Sequence, residues 1–253
     1  MNLQHLVVPT RETRNIDLFS EVCFWSGIQV LRVEIGTEDR LPEGWTLMNT
    51  TVHGGPAFCR KIAETLSASV VEPADAFLFL LPDEYTNRTI GLMKLHQART
   101  LVWPKFIKPV NDKHFRAAVY PSGADLVTDA SLSEEMVLIS DPVEWDCEYR
   151  MFVCDFQVRV FSAYRMADGV VATEEQKEQA RAFCERVLAD KRVQLPRAVV
   201  VDVGYIRGIG WSVVEANAAV MSSIYDCDPI LVLEVLEYGL APISDRKALS
   251  SVS

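Results

Sequence analysis

Two acidic residues stand inside apolar sequence on either side of a glycine-containing turn, between residues 199 and 218. A turn at Gly208-Ile209 has glycine first, as a type II′ turn requires, and it closes a two-residue hairpin. In that register Asp202 faces Glu215 directly across the hairpin. Asn217 points to the same side, because side chains alternate along a strand. The sequence therefore predicts a sheet face on which two carboxylates and one amide converge.

Carboxylates that face each other destabilise a hairpin unless a cation compensates them. One interpretation is a solvated pair of acids on an exposed face. The apolar residues on both sides of Asp202 and Glu215 argue against it, since buried acids need a partner. Oxygen ligands suit Mg²⁺, which keeps several waters and shares substrate phosphates. We therefore predict a magnesium site formed by Asp202, Glu215 and Asn217.

A second hairpin is predicted over residues 149–164, with its turn at Asp155-Phe156. If the register holds, Glu148, Arg150 and Arg165 share one face. Fixed arginines suit phosphate or carboxylate recognition, although a solvated face that neutralises itself is the alternative. The same face would carry Arg159, Phe161 and Ala163, and the packed face Tyr149, Met151, Val153, Val158, Val160 and Ser162.

Two lysines lie in the apolar segment 103–109, which is predicted to be a strand. A lysine in a short strand often protects an exposed sheet edge. The alternative for Lys105 and Lys108 is a positive charge directed at phosphates. Both interpretations remain open at this point.

The first hundred residues alternate strand and helix patterns, which indicates a small α/β lobe, and the chain then becomes rich in strands. Thr173 and Gln176 form a capping box at the start of the clearest helix. Further predicted strands lie at 6–9, 30–35, 76–81, 136–140, 199–203 and 211–216, and helices at 15–25, from Pro56, at 87–99, 173–190 and 229–238.

The composition excludes several classes of function. Lys and Arg number 25 against 35 Asp and Glu, and this net charge of −10 disfavours nucleic acid as a general partner. Since no apolar run approaches about 18 residues, we expect no membrane span. The beginning of the chain lacks a signal-peptide pattern, and six scattered cysteines without a CxxC pair favour reduced thiols in the cytoplasm.

Four segments resemble, in the same order, the motifs of ATP-grasp enzymes. Residues 106–109 resemble the nucleotide-binding lysine strand, 137–143 the linker that binds adenine, and 148–153 the acidic–arginine strand. Asp202 followed by 215–217 resembles the magnesium signature. A closer likeness, to the clade named for two arginines and a lysine, is carried by residues 81–88, 108–115 and 222–229.

The resemblance implies an α/β (α+β) chain with the ATP-grasp fold, in which two β-rich lobes surround a nucleotide cleft. A small α/β N-terminal lobe would precede them. The implied division is an N-terminal lobe at 1–100, a small subdomain at 101–142, a large subdomain with the metal site at 143–243, and a polar tail at 244–253.

The resemblance also implies the roles of single residues. Arg165 and Arg150 would stabilise the transferred phosphoryl group. The cofactors would be ATP and one or two Mg²⁺ ions. The other expected contacts are Lys108 and Lys113 with the phosphates, Ile139 and Ser140 with adenine, Glu148 with the ribose hydroxyls, and Asp202, Glu215 and Asn217 with the metal.

The implied activity is that of an ADP-forming carboxylate–amine ligase, acting through an acylphosphate on an amino acid or peptide. Its partners would be a small-molecule or peptide carboxylate and an amine acceptor. Three alternatives remain: a kinase-like phosphotransferase, a nucleotide-binding regulatory module without catalysis, and an ordinary α/β domain with coincidental spacing.

Overall fold

A computed structural model describes residues 2–11, 13–37, 41–110, 114–169 and 171–243. Lys113 and the tail at 244–253 were singled out from the sequence but lie outside these ranges. Among the described residues, no helix combines the length and the apolar character that a membrane crossing requires. The strands are β1 (His5–Pro9), β2 (Gln29–Val33), β3 (Thr50–Val52), β4 (Ala68–Val70), β5 (Ile90–Lys94), β6 (Lys105–Pro109), β7 (Ala118–Tyr120), β8 (Met136–Ser140), β9 (Trp145–Cys154), β10 (Gln157–Met166), β11 (Ala198–Ile206), β12 (Gly210–Asn217) and β13 (Leu240–Pro242). The helices are α1 (Arg14–Ser26), α2 (Pro56–Thr65), α3 (Phe77–Leu80), α4 (Asp83–Thr86), α5 (Leu95–Ala98), α6 (Glu174–Ala189) and α7 (Pro229–Leu236).

The N-terminal lobe is a parallel sheet with the order β2-β1-β3, packed with α1 and α2. Helix α1 begins after Thr13, whose hydroxyl accepts the Ile16 amide hydrogen, and it ends at Gly27 with φ 69°. Helix α2 has Pro56 in its first turn, as the sequence predicted. The core of this lobe continues onto α7 and onto one end of the large sheet, where it includes Phe152 and Val200.

The large sheet is antiparallel, with the order β10-β9-β11-β12. Helix α6 covers one face and packs against Val199, Val201 and Val203. The predicted capping box of Thr173 and Gln176 is present at its start. Asp202 alternates with these valines and therefore points to the opposite face.

The small sheet has the order β5-β8-β6-β7. Two predicted elements are wrong here: residues 76–81 contain the short helix α3 instead of a strand, and 87–99 contain β5 and α5 instead of one helix. Periodicity alone cannot distinguish a buried strand from a helix in a short apolar run. Since β5 pairs with β8, a division of the chain at residue 100 would separate β5 from its sheet. The proposed division into lobes remains a prediction.

The hairpin of β9 and β10 turns at Asp155 and Phe156, as predicted, and both have positive φ. Two register shifts follow, between Val158 and Val160 and between Ala163 and Arg165. Each extra residue turns the following side chains to the other face. The predicted faces of residues 160–163 are therefore wrong. Val160 packs in the N-terminal core, Phe161 and Ala163 pack on the α6 side, and Ser162 pairs with Arg150.

The hairpin of β11 and β12 also departs from the predicted turn. Its loop has three residues, since Ile206 pairs with Gly210. A register shift between Asp202 and Val203 then leaves Val214 as an extra residue on β12. The longer loop and the bulge compensate each other, so Asp202 pairs with Glu215 as predicted.

Candidate functional site

Arg150 and Asp202 form a two-point ion pair across β9 and β11. The Arg150 Nε and Nη2 atoms donate to the two Asp202 oxygens, at 2.9 and 2.7 Å. Asp202 is 0% exposed, and its burial raises the pKa of its carboxyl to about 6, against the lowering effect of Arg150. Arg150 Nη1 donates to the backbone oxygen of Ser223 at 3.1 Å, which ties the pair to the loop after β12.

Two tyrosine rings border the Arg150 guanidinium. Its Cζ atom lies 5.3 Å from the ring centroid of Tyr164 and 5.0 Å from that of Tyr225. The two rings stack, with centroids 5.1 Å apart. Cation–π attraction therefore adds to the ion pair in holding Arg150.

Glu148 is 4% exposed and accepts two hydrogen bonds. Tyr164 Oη donates to its Oε2 at 2.5 Å, and Arg165 Nη1 donates to its Oε1 at 2.7 Å. Burial raises the pKa of Tyr164, so this hydroxyl remains a proton donor at neutral pH. The Arg165 side chain is 63% exposed, so Glu148 tethers an arginine that otherwise extends into solvent.

Lys108 links the small sheet to the large one. Its Nζ lies 2.7 Å from Glu215 Oε2, and Asn217 Nδ2 donates to Glu215 Oε1 at 2.9 Å. Burial alone would raise the pKa of Glu215, but Lys108 and Asn217 bring it below the usual range. The predicted phosphate-binding lysine and two predicted metal ligands therefore lie in one cluster.

The donor set of Asp202, Glu215 and Asn217 fits Mg²⁺ in its chemistry. The described residues contain no group of three or more His, Cys, Asp and Glu that could hold a metal. An ion here would need the Asn217 oxygen beside the two carboxylates. Mg²⁺ is commonly held by one or two carboxylates, with waters and phosphates completing its shell. Each Asp202 oxygen accepts one hydrogen bond from Arg150, which leaves it a second lone pair.

Ile139 and Ser140 border a cavity of about 100 Å³ between β5, β6 and β8. A Cβ atom at Gly91 would lie 2.7 Å from Ile139 Cγ1, so a larger residue on this wall would force the Ile139 side chain to move. The volume is below the roughly 300–1,000 Å³ of typical ligand pockets. Its lining is Thr89, Gly91, Lys105, Ile139, Ser140 and Asp141.

A larger cavity of about 450 Å³ lies beside α6. Gln176 and Gln179 of α6 and Trp211 of β12 line it, and none of the predicted site residues does. It lies on the α6 side of the large sheet, opposite the face that carries Asp202.

Sequence reasoning assigned no role to three side chains near the site. Tyr164 and Tyr225 contact Arg150, and Arg88 contacts β12. Arg88 and Tyr225 lie in segments that carry the family resemblance, which was the available signal. Tyr164 follows a register shift, so its direction could not be derived from alternation.

Known proteins resemble the chain in sequence and in fold. Residues 85–235 match the sequence model of a protein family, the ATP-grasp domain of family 2 in the clade named for two arginines and a lysine. A RimK domain ATP-grasp protein from Sphaerobacter thermophilus has a TM-score of 0.55 and 16% identity, over 93% of this chain and 96% of that one. No curated protein shows a significant sequence match.

Two solved ligases also share the fold. An L-amino acid ligase from Bacillus licheniformis has a TM-score of 0.57 and 10% identity, over 99% of this chain and 77% of that one. A D-alanine–D-alanine ligase from Bacillus anthracis, complexed with ATP, has a TM-score of 0.56 and 11% identity, over 99% and 100%. The structural likenesses show the fold, and the sequence match spans more than half of the 253 residues. The protein therefore belongs to the ATP-grasp family, within the clade named for two arginines and a lysine.

Proposed function

We propose that the protein is an ADP-forming carboxylate–amine ligase that acts through an acylphosphate on an amino acid or peptide. The observation that carries this proposal is the Lys108–Glu215 contact, which joins the two sheets at 2.7 Å. It brings a cation for phosphates beside oxygen donors for a metal. The ligase activities named for two proteins of the same fold support the class of reaction.

ATP would lie between the small and large sheets. The backbone at Ile139 and Ser140 would contact adenine, and Glu148 would accept the ribose hydroxyls. Lys108, with Lys113 as a second cation, would bind the phosphates. Lys108 already contacts a carboxylate, so phosphate binding exchanges one anionic partner for another.

Asp202, Glu215 and Asn217 would hold Mg²⁺, which when bound neutralises charge that develops on the transferred phosphoryl group. Arg165 is suited to contact that group because it is exposed and tethered at a single nitrogen. Arg150 uses three of its five N–H donors for Asp202 and Ser223, which leaves two for a ligand.

In the proposed reaction, a substrate carboxylate oxygen attacks the γ-phosphorus and the bond to ADP breaks. The amine then attacks the acyl carbon, inorganic phosphate leaves, and the nitrogen loses a proton as the amide forms. The enzyme contributes by holding acid, phosphoryl group and amine in line.

The test is ADP release from Mg-ATP in the presence of pools of acids and amines, with hydroxylamine added separately to trap an acylphosphate as a hydroxamate. We expect release that requires an acid, and an amide product when an amine is present. Release with an alcohol or sugar alone would favour a kinase-like transfer. ATP binding without turnover in any pool would favour a regulatory module. Glu215→Gln provides the matched inactive control.

A further inference from the structure

Arg88, in the segment between α4 and β5, directs its guanidinium at the backbone of β12. Nη1 donates to Val213 O at 3.0 Å and to Ser212 Oγ at 2.7 Å, and Nη2 donates to Val214 O at 3.5 Å. Nη1 also donates to Thr86 O in its own segment, at 3.0 Å. One side chain therefore binds the carbonyls of two successive residues of a strand.

No described carboxylate forms an ion pair with Arg88. Its Cζ atom lies 5.1 Å from the ring centroid of Trp145. Burial lowers the pKa of Arg88 to about 10, which leaves it charged at neutral pH. A partly buried cation needs compensation, and here charge-assisted hydrogen bonds to backbone oxygens and the attraction of the Glu148 carboxylate supply it.

The contacted carbonyls belong to the bulge of β12. Val214 has no partner on β11, because Val203 pairs with Val213 and Asp202 with Glu215. A bulge interrupts the ladder, and backbone oxygens that leave the ladder need other donors. Arg88 Nη2 meets this need at Val214, at 3.5 Å, whereas Nη1 binds Val213 O on the outer side of β12, which is the edge strand of its sheet.

The bulge decides which face Glu215 occupies. Val213 packs against the α6 core, and Glu215, two residues later, lies opposite Asp202. If the ladder closed without the extra residue, Val214 would face Asp202 and Glu215 would turn toward α6. Asn217 would turn with it.

We propose that Arg88 is a positioning residue that holds the bulge at Val214, and thereby keeps Glu215 and Asn217 on the face of Asp202 and Lys108. Its effect on metal binding rests on the proposed function. Its effect on the pairing of β12 does not.

The test compares Arg88→Gln with Arg207→Gln, an exposed arginine in the loop of the same hairpin, paired with Asp146 and Glu144. Mn²⁺ affinity is measured by electron paramagnetic resonance in the presence of ATP. Arg88→Gln should weaken it about tenfold or more, the effect typical of residues that support metal ligands. Arg207→Gln should leave it unchanged. ATP affinity measured in EDTA should not change in either variant.

Deletion of Val214 provides a rescue. It closes the ladder while keeping Asp202 opposite Glu215, so the bulge and its need for Arg88 disappear together. Arg88→Gln should then cost no Mn²⁺ affinity in the deletion background. This background, or Arg88→Lys with its retained charge, also supplies a folded protein if Arg88→Gln alone does not fold.

Three results would overturn the proposal. The first is wild-type Mn²⁺ affinity in folded Arg88→Gln, and the second is an equal loss of Mn²⁺ affinity from Arg88→Gln in the wild-type and Val214-deletion backgrounds. The third is a loss of ATP affinity in EDTA, which would make Arg88 a nucleotide ligand. If the wild-type protein binds no Mn²⁺ with ATP, the proposed function fails. The residue that pairs with Asp202 in a crystal structure of Arg88→Gln then decides the positioning role: Val214 supports it and Glu215 refutes it.

Discussion

Arg150 faces Asp202 on the neighbouring strand and donates two hydrogen bonds to it, of 2.9 and 2.7 Å, in a place where Asp202 has no exposed surface. Asp202 therefore has a structural partner in addition to its proposed role toward a metal. Removal of one member of such a pair leaves the other charge buried.

Asp202→Asn should lower the free energy of unfolding by roughly 3–5 kcal/mol, because Arg150 then lacks its counter-charge. Urea denaturation measures this. Asp155→Asn is the matched control, since Arg197 binds Asp155 at two points, 2.7 and 3.0 Å, on the exposed surface. It should cost less than about 1 kcal/mol. Equal losses in the two variants would mean that burial does not govern how much an ion pair contributes to stability. Because Asp202→Asn is expected to destabilise the fold, Glu215→Gln is the clearer test of metal binding.

Lys108→Gln should weaken ATP binding in EDTA by about tenfold or more, because a charge-assisted bond to phosphate contributes about 1.5–3 kcal/mol. Isothermal titration calorimetry measures the affinity. Lys94→Gln removes a lysine of the same sheet that pairs with exposed Glu134, and it should have no effect. If both variants bind ATP as the wild type does, Lys108 is not a phosphate ligand.

Gly204→Ala should destabilise the protein by roughly 1–3 kcal/mol through overpacking. The new Cβ would lie 2.6 Å from Trp145 Cε3 and 2.8 Å from the backbone oxygen of Cys147, which cannot rotate away. Thermal unfolding would show the loss. Gly55→Ala, where no atom lies within 4 Å of the added Cβ, adds no overpacking, so it should cost only the weaker N-cap preference of alanine at the start of α2, less than about 1 kcal/mol. An unaltered midpoint in Gly204→Ala would show that the strands relax around the methyl group.

His53 should make stability fall as the pH is lowered from about 6.5 to 4. Burial lowers the pKa of this imidazole from 6.5 to about 4, against a hydrogen bond to the Val220 backbone. Between these values the unfolded chain binds a proton that the folded protein does not. The contribution is complete above pH 6.5, and about 3 kcal/mol is lost by pH 4.

The check is urea denaturation of the wild type and His53→Leu across this pH range. The variant is needed because carboxyl groups also titrate in this range, and their contribution cancels in the comparison. The difference between the two proteins should shrink by about 3 kcal/mol as the pH falls. His96→Gln, which replaces a half-exposed histidine, should follow the wild type. A constant difference between wild type and His53→Leu would contradict the prediction.

Local patterns predicted much of the fold, the turn at Asp155-Phe156 and the pairing of Asp202 with Glu215, but not the full register of either hairpin. The capping box of Thr173 and Gln176 and the apolar face behind it specified α6, and alternation specified that Asp202 and Glu215 share a face. The prediction failed for α3 and β5, where a short apolar run suited either structure until β8 supplied a strand partner.

The sequence by itself determined that the acids and arginines would gather on the faces of two hairpins, because side-chain alternation is a local property of the chain. Only the tertiary structure decided where the strands bulge and which charge each residue meets. Lys108 meets Glu215, and Arg88 meets the bulge of β12, across more than a hundred residues of chain. Such contacts form when separate sheets pack together, and their free energy depends on burial and on backbone groups left outside the ladder, which no local spacing encodes.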